Sequence, residues 1–168
     1  MRLPLPLYSR VLPIILGILC ASGSSVPAAE LEQFSFPPHN FSLPKGYTLK
    51  PVAVAPLVQR PIHMYFDEKG ALYVTDSSGD SRKAPVQVKE PSHRILRLVD
   101  RDGDGVFDHS TVFAEKVPFP EGILVYQGGV YVGAPPNIWK FTDKDGDHVA
   151  DERTVWFGGG SIEGPSGK

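Results

Sequence analysis

Asp100-Arg101-Asp102-Gly103-Asp104-Gly105-Val106-Phe107-Asp108 returns 43 residues later as Asp143-Lys144-Asp145-Gly146-Asp147-His148-Val149-Ala150-Asp151. Each copy sets carboxylates at relative positions 1, 3, 5 and 9. That spacing lets a tight loop aim several oxygens at one hard cation, calcium above all. The neighbours recur as well: Arg97-Leu98-Val99 and Lys140-Phe141-Thr142 precede the two copies, and Thr111-Val112-Phe113 and Thr154-Val155-Trp156 follow them. A unit recurring every ~40–45 residues has the period of a four-stranded propeller blade. Apolar and β-branched residues flank both copies without a sustained 3.6-residue period, so strands are expected rather than helices. The expected fold is all-β, a partial β-propeller of about two to three blades with calcium-type acidic loops.

In the acidic loops, Asp100, Asp102 and Asp104 would each offer a carboxylate oxygen, Val106 its carbonyl, and Asp108 a direct or water-mediated contact. The second set is Asp143, Asp145, Asp147, the Val149 carbonyl and Asp151. His148 stands where the first loop has the turn glycine Gly105, and histidine is one of the few other residues enriched at positive φ. Position 12 is Thr111 or Thr154 rather than a bidentate glutamate, so both loops are expected to bind weakly, with dissociation constants of about 0.1–1 mM. A simple turn needs one Asp-Gly pair. Four carboxylates within nine residues repel one another unless a cation offsets them.

The 168 residues, with 17 Gly, 17 Pro and 41% hydrophobic residues, describe a foldable, turn-rich chain of one domain at most. A net charge of −2 provides no basic field, so neither nucleic acid nor anionic lipid is an expected partner. Residues 1–29 read as a secretory signal: Arg2 and Arg10, an apolar run Val11 to Leu19, then the small-residue stretch Val26-Pro27-Ala28-Ala29. The run is too short for a membrane span, and a secreted or periplasmic location is expected. Cys20, the single cysteine, follows Leu19 where a lipoprotein site wants a small residue, which disfavours a lipid anchor. Cleavage would leave no cysteine for a disulfide and a formal charge of −4, since both arginines leave with the signal.

Glu30 to Lys45 carries three prolines and is expected as an irregular extended arm, followed by an edge strand over Gly46 to Val54 in which Pro51 lacks a ladder donor. The Asn40-Phe41-Ser42 triplet matches a glycosylation site, a weak signal. Residues 30–57 thus form an arm and edge strand, and 58–168 the incomplete propeller. There, Pro61 to Phe66 and Ala71 to Asp76 make a hairpin across Asp67-Glu68-Lys69-Gly70. Ile123 to Tyr126 and Val130 to Gly133 repeat it. Leu72 and Val130 are 58 residues apart, so 15 residues more than the repeat lie between the first hairpin and His93, and 77–92 is an inserted polar loop. Arg94 to Val99 and Asn137 to Phe141 are third strands leading into the acidic loops. Gly158 to Lys168 begins a further connection. Tyr65, Phe66, Tyr73, Tyr131 and Trp139 are expected between sheets. Of the five histidines, only His63, on an inner strand, is a channel-lining candidate.

These features, Gly46-Tyr47, the Pro61 to Asp76 hairpin, Arg94-Ile95 before the first acidic loop and Val130-Tyr131-Val132 before the second, resemble the N-terminal propeller region of the membrane-bound dehydrogenases of planctomycete-type bacteria. That family is related to the soluble quinoprotein glucose and sorbosone dehydrogenases, and the resemblance covers about residues 44–160. It implies a sugar or alcohol dehydrogenase whose complete ring holds pyrroloquinoline quinone, with calcium loops bracing the blades and further blades or domains as partners. It also implies a downstream cytochrome c domain, but no Cys-x-x-Cys-His haem motif occurs in this chain. The propeller fragment is expected to be inactive alone. The competing reading is a noncatalytic, calcium-stabilised module that binds a carbohydrate or a protein.

Overall fold

The computed structural model describes residues 30–159; the expected signal segment with Cys20, and nearly all of the connection after Gly158, lie outside them. The described chain is all-β apart from one short helix, arranged as three antiparallel sheets. It divides into two compact units, with the boundary in the chain after Leu49.

The first unit corrects the expected irregular arm. β1 (Leu31–Phe36) and β2 (His39–Pro44) form a two-stranded antiparallel hairpin, in register from Leu31 opposite Pro44 to Phe36 opposite His39. The prolines are compatible with it because of where they fall. Pro37 and Pro38 occupy the turn and Pro44 ends β2, so no ladder donor is lost in the middle of a strand. Gln33 and Ser42 exchange side-chain hydrogen bonds across the pair. The edge strand expected over Gly46 to Val54 does not form. In its place Ala53, Leu57 and Val58 turn their side chains onto a sheet of the second unit, where apolar burial outweighs a ladder that Pro51 would interrupt.

The second unit holds two four-stranded sheets built on one plan. In the first, β3 (Pro61–Phe66), β4 (Leu72–Asp76), β5 (His93–Val99) and β6 (His109–Val117) lie side by side in chain order. In the second, β7 (Ile123–Tyr126), β8 (Gly129–Ala134), β9 (Asn137–Thr142) and β10 (Glu152–Gly158) do the same. Both hairpins and both third strands fall where expected. Gly70, at φ +85, closes the first hairpin turn, and Gln127-Gly128, at φ +47 and +73, make the tighter second one. The insertion 77–92 is more ordered than a polar loop suggests: it carries α1 (Ala84–Lys89), opened by Pro85.

Alternation sorts each strand's side chains between two cores. Leu72, Val74, Leu96 and Leu98, with Phe107 beside them, cover one face of the first sheet beneath Ala53, Leu57 and Val58. Tyr73, Ile95 and Phe113 point the other way, against Ile123, Val130, Val132 and Phe141 of the second sheet. Phe113 is 2% exposed, and burying a side chain of its size contributes about 1.5–3 kcal/mol. The amide of Ala150 donates to the Phe113 carbonyl at 2.8 Å. Arg153, stacked 4.9 Å over Phe141, donates to the carbonyls of Glu115 and Lys116. Packing, backbone and a cation thus join the two sheets.

Candidate metal centres

Each acidic segment is the loop between the third and fourth strands of its sheet, and the two loops are hydrogen-bonded alike. Asp100 accepts the amides of Gly103 and Gly105, both at 2.8 Å. Asp143 accepts those of Gly146 and His148 at 2.7 and 3.0 Å. The Val106 amide donates to Asp104 and that of Val149 to Asp147, each at 2.7 Å. Asp102 takes the Asp104 amide and Asp145 the Asp147 amide. The last aspartates close the loops, Asp108 accepting from Arg101 at 3.3 Å and Asp151 from Lys144 at 2.7 Å. His148 adopts φ +69 where Gly105 has φ +82, so the histidine follows the same left-handed path as the glycine it replaces.

The loops bring carboxylate oxygens of Asp100, Asp102 and Asp104 within 4.8 Å of one another, and likewise those of Asp143, Asp145 and Asp151. Oxygens on opposite sides of a calcium ion at 2.3–2.6 Å stand about 5 Å apart, so both clusters fit that ion. The converging sets differ: Asp104 belongs to the first, whereas in the second Asp151 converges in place of Asp147. The amides of Gly105 and Gly103 hold the Asp100 carboxyl below the usual carboxylate range. For Asp143, burial pushes upward, but the amides of Gly146 and His148, with the His148 side chain, outweigh it and the carboxyl is again lowered. Both first-position aspartates are therefore held as anions, the form a cation requires.

Charges around the loops break the symmetry. Lys50 donates to the Asp104 carbonyl at 3.0 Å and lies 3.1 Å from where a Gly105 side chain would begin. In the second loop the His148 Nδ1 stands 3.8 Å from Asp143, and Lys144 pairs with Glu152 at 3.1 Å. Lys50 carried no signal in the sequence, since 54 residues separate it from its acceptor.

Two further polar centres escaped the sequence reading. Asp76, fully buried at the end of β4, accepts the amides of Gln59 and Arg60 on Oδ1 at 3.0 and 2.7 Å. Its Oδ2 accepts Nε and Nη2 of Arg94 at 2.9 and 2.7 Å. His93, also buried, accepts the Ser78 amide on Nδ1 at 3.0 Å, which assigns the proton to Nε2 for donation to Gln87 Oε1 at 2.9 Å. This pair anchors the insertion to the sheet. Of the aromatic set, Tyr73 is buried between the sheets and Trp139 packs against that core, while Phe66, Tyr65 and Tyr131 are more exposed. His63 lines a groove of about 670 Å³ along β7 with Leu124, Tyr126, Tyr131, Ile138 and Trp156. Among the described residues no helix is long and apolar enough to cross a membrane.

No curated protein and no solved structure matches the chain. A family model described as a domain of unknown function, DUF7133, matches residues 38–165, a span that contains both four-stranded sheets and both acidic loops. With most of its length inside that match, the chain belongs to the DUF7133 family.

Proposed function

We propose that this chain is a calcium-braced section of an exported β-propeller resembling the membrane-bound dehydrogenases, with one acidic loop locking the outer corner of each four-stranded unit. The observation that carries the reading is the repetition of one hydrogen-bonded carboxylate arrangement at the same place in two successive sheets. A cation there would offset the repulsion among three carboxylates and tie the end of the third strand to the start of the fourth. The chain's own residues supply scaffold: the aspartates hold the ion, and the sheets stack. In the dehydrogenase reading, pyrroloquinoline quinone supplies the redox chemistry, held by a complete ring, and this section alone turns over nothing.

Calcium titration of the purified chain tests the metal. At 5 mM calcium and a dissociation constant of about 0.5 mM, each loop adds about 1.4 kcal/mol. For a chain of this size that is a rise of roughly 3–6 °C in Tm per loop. Magnesium should do less, since it requires near-octahedral geometry and gives up water reluctantly. An unchanged Tm in Asp100→Asn, Asp143→Asn and the parent alike rejects calcium. Dye reduction with pyrroloquinoline quinone and a sugar panel, measured on a longer protein that contains this section, separates dehydrogenase from binding module.

A further inference from the structure

Applying the sequence repeat to the two sheets gives each residue of the first sheet a counterpart in the second. Leu72, Val74, Leu96 and Leu98 correspond to Val130, Val132, Trp139 and Phe141. The first four lie on the face covered by residues 53–58, and their counterparts face the first sheet. On the opposite face Tyr73, Ile95, Arg97 and Phe113 correspond to Tyr131, Ile138, Lys140 and Trp156. Tyr73 and Phe113 meet edge to face, with ring centroids 5.2 Å apart at 84°. Tyr131 and Trp156 repeat this at 5.3 Å and 78°. In each sheet the cation stands directly across from the tyrosine, Arg97 opposite Tyr73 and Lys140 opposite Tyr131.

One member of this pair of faces is covered and the other is open. Phe113 is 2% exposed beneath the second sheet, whereas Trp156 is 61% exposed along the groove that Tyr131 and Ile138 also line. What covers the first face is specific: the apolar side chains of Ile123, Val130, Val132, Ala134 and Phe141, together with the β9–β10 acidic loop. Asp143 and His148 of that loop line a cleft of about 330 Å³ with Tyr73 and Arg97. The link into β7 ends Glu121-Gly122, and Glu163-Gly164 recurs in the sequence after β10.

We infer that the Tyr131–Ile138–Trp156 face docks a third four-stranded sheet of this same repeat, joined in sequence after β10, presenting apolar residues to the groove and an acidic loop to Lys140. The inference rests on the propeller reading and continues the interface already formed between the two sheets. A face with two aromatics and a flanking cation, matched to one that buries the same constellation, selects an apolar, acid-tipped sheet over other covers.

The experiment appends a copy of residues 118–158 after Gly159. Trp139→Phe is placed in both repeats and Trp156→Phe in the copy, so the original Trp156 is the only tryptophan. Docking predicts a blue-shifted emission and a severalfold loss of acrylamide quenching relative to the parent carrying Trp139→Phe, with both effects abolished by Ile138→Asp in the original face. Trp156 remaining as quenchable as in the parent overturns the inference, whether or not the appended sheet folds. Concentration-dependent dimerisation of the parent that shields Trp156 also overturns it, since a second copy would then be the occupant. A calcium-dependent rise in Tm with Trp156 still exposed leaves the metal reading standing and removes the docking alone.

Discussion

Removing the Asp76 carboxylate tests how the first hairpin is held to its sheet. This side chain is fully buried and accepts four hydrogen bonds, two from backbone amides and two from the Arg94 fork. In Asp76→Ala the amides of Gln59 and Arg60 lose an acceptor that is itself fully buried, at about 1–2 kcal/mol each because both residues are otherwise exposed. Arg94 loses its counter-ion, but its side chain is 32% exposed, so water recovers most of that loss and the pair adds about 1 kcal/mol. The sum expected is about 3–5 kcal/mol, a large share of the ~5–15 kcal/mol that holds a domain together. Urea denaturation followed by far-ultraviolet circular dichroism measures it. Acid provides a second readout. Burial alone would raise the Asp76 carboxyl, but the Arg60 amide, the Arg94 guanidinium and the Gln59 amide together lower it below its ordinary 3.8. The folded state therefore binds fewer protons than the unfolded one, and the stabilisation is complete above pH ~3.8 and lost as pH falls below it. Asp76→Asn should lack that acid-sensitive component. A loss under 1 kcal/mol in Asp76→Ala, with acid sensitivity unchanged in Asp76→Asn, refutes the clamp.

Two other outcomes are expected. Burial holds the His93 imidazole below its ordinary 6.5, with Asp80 opposing more weakly. The folded state thus takes up fewer protons, so the Gln87–His93 anchor is intact above pH 6.5 and weakens as pH falls below it. Corrected for the intrinsic exchange rate, protection of the amides in 77–92 should be lower at pH 5.5 than at 7.5, and His93→Gln should abolish that difference. Replacing Lys50 by Met removes an ammonium from the first loop. Exposed charges a few ångströms apart are worth about 1 kcal/mol, so calorimetry should find calcium bound to that loop roughly fivefold more tightly and to the second loop unchanged. Equal affinities in parent and variant would mean that the lysine does not oppose the ion.

The sequence made the all-β character and both loops legible because their signals are local. Carboxylate spacing, glycine placement and strand alternation each act within about ten residues, and the backbone follows them wherever the residues stand. His148 is an instance: its side chain departs from the first loop's glycine, yet the flanking aspartates still direct it to the same φ. What was missed depends on partners far apart in the chain. Asp76 meets Gln59, Arg60 and Arg94 at separations of 16 to 18 residues across a turn and an insertion, and nothing near Asp76 announces them. The β1–β2 hairpin was missed for a different reason. A proline breaks a strand only where its missing donor interrupts the ladder, and here the prolines fall at a turn and at a strand end, where that donor costs nothing.

The repeat also shows why residue type alone does not determine exposure. Phe113 and Trp156 are both aromatic, occupy equivalent strand positions and meet equivalent tyrosines at nearly the same angle, and among the described residues a sheet lies over the first alone. Local sequence therefore prepares a face, and the next repeat along the stack buries it, as expected where each unit is stabilised mainly by its neighbours. The stability of the second sheet should then depend more on what packs against Tyr131 and Trp156 than on any substitution within its ladder. The acidic loops act on another term. By fixing the corner between third and fourth strands they set where the outermost strand lies, and so whether the aromatic on that strand reaches the tyrosine beside it. A calcium ion at the corner and a sheet docked on the face would thus be separate interactions converging on β10, the strand left exposed throughout its length.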